Sequence, residues 1–135
     1  PALERFTAEL TGPDGSIGRF LVPSPARGSA CKRLNLFLRW MVRRDAVDPG
    51  GWTSIDPSLL IVPLDTHMSR ICRMLGLTRR SADDLRTALD ITRQFRLIAP
   101  DDPVRYDFAL TRIGMRGMLQ HGELAATCIC GQNGV

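Results

Sequence analysis

Apolar positions recur at helical spacing along most of the chain, and no alternating run is long enough to predict a strand. Leu3, Phe6 and Leu10 share one face of a first helix over residues 1–10, with Pro1 suited to its opening turn. Gly12, Pro13, Gly15, Gly18, Pro23 and Pro25 then predict a loop to residue 27, anchored by Phe20-Leu21-Val22. Ser29 offers an N-cap for a helix over residues 30–44. Leu34, Phe37, Leu38, Met41 and Val42 gather on one side of it, and Lys32, Arg39 and Arg43 on the other, which predicts a buried face and a basic stripe.

Asp48-Pro49-Gly50-Gly51 predicts a turn, and Asp56-Pro57 a short turn of helix. The apolar run at 59–62 is too short to separate a strand from a buried helical turn. Asp65 caps a helix to about residue 75, with Gly76 as the stop and Ile71, Met74 and Leu75 inward. Ser81-Ala82-Asp83-Asp84 resembles a capping box opening a helix through residue 95, whose inward positions are Leu85, Ala88, Leu89 and Phe95. Asp101-Asp102-Pro103 starts a last helix to residue 113, with Val104, Phe108 and Ile113 as core. The fold class is all-α, divided into a short helix and loop (1–27), a helical domain (28–117) and a tail (118–135).

With 135 residues and 44% hydrophobic content, the chain makes one domain, or a piece of a larger protein, with a modest packed core. No apolar run approaches the roughly 20 residues of a membrane span, and no leader pattern opens the chain, so the expected location is the cytoplasm. The net charge of +4 rests on arginine, Lys32 being the only lysine. An anionic partner such as DNA fits that charge, as does plain arginine decoration of solvated faces. Cys128 and Cys130 with His121 make at most half of a metal site, and Cys31 and Cys72 stand singly in two predicted helices; no metal and no cofactor are expected.

Two residues draw the chemistry together. Lys32 lies one turn inside a helix start, where an amine that loses its proton can attack an electrophilic carbon and hold it as a Schiff base; the alternative is an ordinary lysine on a basic face. Asp65 caps a second helix and can also stabilise a developing cation or assist proton transfer. Gly28 and Ser29 precede Lys32 in a turn whose amides suit a phosphate. His67 and Arg70 follow Asp65 on its helix, the arginine free to hold a phosphate or to pair with a carboxylate such as Asp107.

Gly28-Ser29-Ala30-Cys31-Lys32-Arg33-Leu34-Asn35 resembles the hairpin and catalytic lysine of the helix-hairpin-helix base-excision DNA glycosylases, and Asp65-Thr66-His67-Met68-Ser69-Arg70 their aspartate segment. Together with Tyr106-Asp107-Phe108-Ala109-Leu110, the same stretches more closely resemble an uncharacterised bacterial family of unknown function. The glycosylase resemblance implies that fold, or its C-terminal part. It also implies Lys32 as nucleophile, Asp65 as electrostatic partner, and Gly28, Ser29, Arg39, Arg43, His67 and Arg70 against DNA. The four-cysteine motif of the iron-sulfur members is missing, so no cluster is expected.

Overall fold

The computed structural model describes residues 2–12 and 22–115. They form five α-helices: α1 (Ala2–Thr11), α2 (Lys32–Val42), α3 (Thr66–Met74), α4 (Leu85–Ile98) and α5 (Asp107–Met115). Two short 3₁₀ turns, Pro25–Arg27 and Pro57–Leu59, lie between them. Among the described residues no strand forms, and only the isolated bridges Ser29 to Asp84 and Arg44 to Pro49 pair backbone across loops.

The apolar run that the sequence left unassigned is an extended segment through the core. Leu60, Val62 and Leu64 are buried at alternate positions, the period of an extended chain. The Val62 amide donates to Thr92 Oγ1 at 3.1 Å, and that hydroxyl donates to the Ala88 carbonyl at 2.6 Å, so the segment is tied to α4. Met68 and Cys72 of α3, Ala88, Ile91 and Phe95 of α4, and Val104 close the core around it. α3 also packs against α5.

Aspartate caps explain the starts of α3 and α4. Asp65 accepts the Met68 amide at 2.7 Å, and Asp84 accepts the Thr87 amide at 2.8 Å. Gly76, at φ 72°, ends the turn after α3 as expected. Other expectations need correction. α2 begins at Lys32 rather than residue 30, and its N-cap is Cys31, not Ser29. α4 is capped by Asp84 and runs three residues further than predicted, to Ile98. Residues 99–106 form successive turns, with amides at 102, 105 and 107 donating to carbonyls three residues back, so the last helix starts at Asp107 rather than at Pro103. Met74 is exposed because α3 turns Met68, Ile71 and Cys72 inward and Met74 lies off that face, while Leu75, in line with them, stands past the last helical residue as the C-cap and is exposed there. Phe37 and Phe108 are exposed as well. The 118–135 tail, with His121, Cys128 and Cys130, lies outside the described residues.

Several carboxylates hold the fold in their ionised form. The Thr87 amide keeps Asp84 down at about 2 against an ordinary 3.8. Asp45, hydrogen-bonded by the Asp48 and Val47 amides, and Asp83, hydrogen-bonded by Ser69, are also lowered. A folded-state value below the unfolded one gives stability that is present above 3.8 and is lost as the pH falls toward about 2. Asp107 acts in the opposite sense: burial raises it, so its contribution is greatest when protonated and fades as the pH rises through its folded value. The lowered groups outnumber it. The thermal midpoint is therefore expected to fall across the acid window, and Asp84→Asn, which keeps an oxygen acceptor, to flatten that slope.

Candidate functional site

Cys31 is the one non-glycine residue with positive φ among those described, at φ 49°. This left-handed conformation costs about 1 kcal/mol or more for a residue with a Cβ. It is held by the thiol, which lies 3.3 Å from the carbonyls of Pro23 and Ser29, and by the Ser29 hydroxyl, which accepts the Cys31 amide at 3.2 Å. Burial pushes the thiol above its usual range, so it stays protonated as a donor. The sharp bend places Lys32 at the first position of α2. Gly28, at φ 77°, turns the chain just before it, and its carbonyl accepts the Leu85 amide at 3.0 Å, which fastens the turn to the start of α4.

The extended core segment delivers Asp65 to the same place. Lys32 Nζ stands 3.1 Å from Asp65 Oδ2. The lysine side chain is 47% exposed and the aspartate 17%, so the pair sits at a mouth rather than in the interior. Asp65 Oδ1 meanwhile caps α3, so one carboxylate both caps a helix and pairs with Lys32. The pair opens on a cleft of about 380 Å³ lined also by Arg39, Trp40, Asp107 and Arg112. Trp40 and Phe108 are exposed aromatics at its rim, and the Arg112 guanidinium lies 5.4 Å over the Phe108 ring.

Behind the cleft the expected basic stripe is overturned. Arg39 and Arg43 are buried, with side chains only 3% and 8% exposed. The 45–49 turn folds back over α2, with the Gly50 amide on the Trp40 carbonyl and the Trp52 amide on that of Met41. Gly50 must be glycine for this: its φ is 69°, and a Cβ would lie 2.9 Å from that of Arg44. The turn brings Asp48, fully buried, between both arginines. Arg39 approaches Asp48 at 3.1 Å and Asp107 at 2.5 Å; Arg43 pairs with Asp48, with Asp45 at 2.8 Å and with Asp102 at 2.8 Å. These guanidiniums are consumed by internal carboxylates, so the surface they were expected to present to DNA is absent. Arg70 does not pair with Asp107, because Arg39 holds that carboxylate; Arg70 and His67 are exposed on α3, and Gly28 and Ser29 stand at the turn.

Asp107 lines the site, whereas the sequence offered it only as a pairing partner for Arg70. Its carboxyl is raised, first by burial and then by the nearby Asp65 charge, against the opposing pull of Arg39. A further early sign was its place in the Tyr106-Asp107-Phe108 stretch, which the sequence set inside the last helix rather than at its start. Among the described residues no three of His, Cys, Asp and Glu stand together as a metal-holding group, and no helix is long and apolar enough to cross a membrane.

The two roles of Asp65 separate by substitution. Asp65→Ala should cost about 1 kcal/mol through the lost cap, whereas Asp65→Asn keeps an oxygen for the Met68 amide and should cost less. The ion pair itself, at a partly exposed position, adds little. Urea unfolding of the two variants measures the difference.

The chain belongs to the family described as a protein of unknown function (DUF2400), whose model matches residues 1–116. Comparison with curated proteins and with solved structures gave no match.

Proposed function

We propose that this chain binds DNA and acts on it as a base-excision glycosylase or abasic-site lyase, with Lys32 as amine nucleophile and Asp65 as its carboxylate partner. The observation that carries the reading is the 3.1 Å pairing of these residues, far apart in sequence, at the mouth of one cleft. In this reading the Pro25–Arg27 turn, Gly28 and α2 serve as the hairpin element of a helix-hairpin-helix fold, and the strained Cys31 fixes the amine at its start. Asp65 stabilises positive charge on the sugar as the base departs. Phosphate contacts fall to side chains that remain exposed: Arg33 beside the nucleophile, His67 and Arg70 on α3, and Arg112 at the cleft.

Incubation with a duplex containing a single abasic site tests it. Strand scission at that site supports the enzymatic version, and its absence overturns it. A second reading, a non-enzymatic nucleic-acid-binding module, draws on the same ion pair, since a lysine held as an ammonium binds phosphate but does not attack carbon. Salt-dependent binding without scission would select this module.

A further inference from the structure

We propose that the cleft beside Lys32 and Asp65 is a slot for one extruded base, in which Trp40 supplies the stacking face and Arg112 selects bases that present a carbonyl oxygen over those that present an amino group. The inference names the class of base for the reading given above, and it rests on that reading.

Two helices build the slot. Lys32, Leu36 and Trp40 follow one another at intervals of four on α2, so the indole stands two turns beyond the amine, roughly 12 Å along the helix axis. Phe108 and Arg112, one turn apart on α5, line the same space. The bond between Arg39 and Asp107, at 2.5 Å, clasps the two helices together here. Val47 and Pro63 complete an apolar lining, and the volume of about 380 Å³ is that of a small-molecule site. Trp40 is 44% exposed, and the described ring-to-ring contacts go to Trp52 instead, from Phe6 and Phe37. An indole face without an aromatic neighbour can return the stacking that a base loses on leaving the duplex.

The polar groups decide which base fits. The carboxylates of the cleft are already engaged, Asp65 by Lys32 and the Met68 amide, and Asp107 by Arg39 and the Thr111 hydroxyl. An amino group entering the slot therefore meets no unpaired carboxylate among the described residues. Arg112 is the reverse case. Its guanidinium carries donors only, is steadied 5.4 Å over the Phe108 ring, and has no carboxylate partner among the described residues. Among Arg33, His67, Arg70 and Arg112, it alone lines the cleft. It can donate to a carbonyl oxygen and can accept nothing from an amino group, so the wrong base leaves donor facing donor.

Equilibrium binding to two duplexes tests this. Each carries one 2′-fluoro nucleotide opposite thymine, with uracil as its base in one duplex and cytosine in the other. These bases differ chiefly in a carbonyl against an amino group on the ring carbon facing away from the sugar, and the fluorine slows departure of the base, so binding is read without turnover. The intact chain is expected to bind the uracil duplex about 10-fold tighter. Arg112→Met should remove that preference, and Trp40→Ala should weaken both complexes by about 10-fold while keeping it. Both side chains are exposed, so the fold should survive either change. Equal affinity of the intact chain for the two duplexes overturns the inference and leaves DNA binding standing. A preference that persists in Arg112→Met, with both complexes weakened by one factor, makes Arg112 a phosphate contact and also overturns it. So does a Trp40→Ala chain that binds both duplexes as tightly as the intact one. An intact chain that binds neither duplex overturns the DNA reading, and this inference with it.

Discussion

Lys32→Gln is expected to abolish the borohydride-stable adduct with abasic-site DNA while leaving the fold nearly untouched. The first half follows from chemistry: a carboxamide nitrogen cannot form a Schiff base, and no other lysine exists in the sequence to take over. The second half follows from placement. The Lys32 side chain is half exposed and its pairing with Asp65 is at a surface mouth, so its removal should change stability by about 0.5 kcal/mol or less. Glutamine also suits the first turn of a helix. Loss of the adduct with an unchanged unfolding midpoint would separate a chemical role from a structural one. An adduct that survives the substitution at wild-type yield would remove Lys32 from the mechanism.

Asp48→Ala is expected to produce the largest loss of stability of any single substitution considered. Asp48 is fully buried and holds Arg39 and Arg43 together, so its removal leaves two buried guanidiniums short of a partner. Breaking a buried pair from one side costs about 3–5 kcal/mol when the remaining charge is uncompensated; Arg39 keeps Asp107, and Arg43 keeps Asp45 and Asp102, so a cost of about 3 kcal/mol is expected. In a domain of this size, that corresponds to a midpoint lowered by roughly 10 °C or more. Asp90→Ala is the matched control. Its pairing with Arg93 at 2.8 Å is on the surface of α4, and its loss should cost about 0.5 kcal/mol or less. Chemical unfolding of both variants checks the contrast. Equal costs would mean that the arginines behind the cleft are solvated.

The same network explains where the sequence could be read and where it could not. The cap at Asp65, the stop at Gly76 and the inward Ile71 are local matters, settled within a few residues, and they were legible. The pairing of Asp65 with Lys32 was legible only as a possibility, since spacing says which helix ends carry the two groups but not that the ends meet. The fate of Arg39 and Arg43 was not local. Helical spacing put them on a common face, which is correct, but that face is covered by carboxylates 59 and 68 residues away, Asp102 and Asp107. A nearer sign was present in Asp48, which follows Arg39 by 9 residues and Arg43 by 5, and arginine is the usual choice for a buried ion pair. The start of α5 was misplaced for a related reason. Pro103 suits a helix start, yet residues 99–106 turn repeatedly to bury Val104 and to bring Asp102 onto Arg43.

The position of the reduced crosslink tests the central claim most directly. After borohydride trapping of the wild-type chain on abasic-site duplex, proteolysis and mass spectrometry locate the residue that carries the sugar remnant. The account predicts that the remnant lies on the peptide containing Lys32. A remnant on any other residue, or a wild-type chain that carries none, would contradict it.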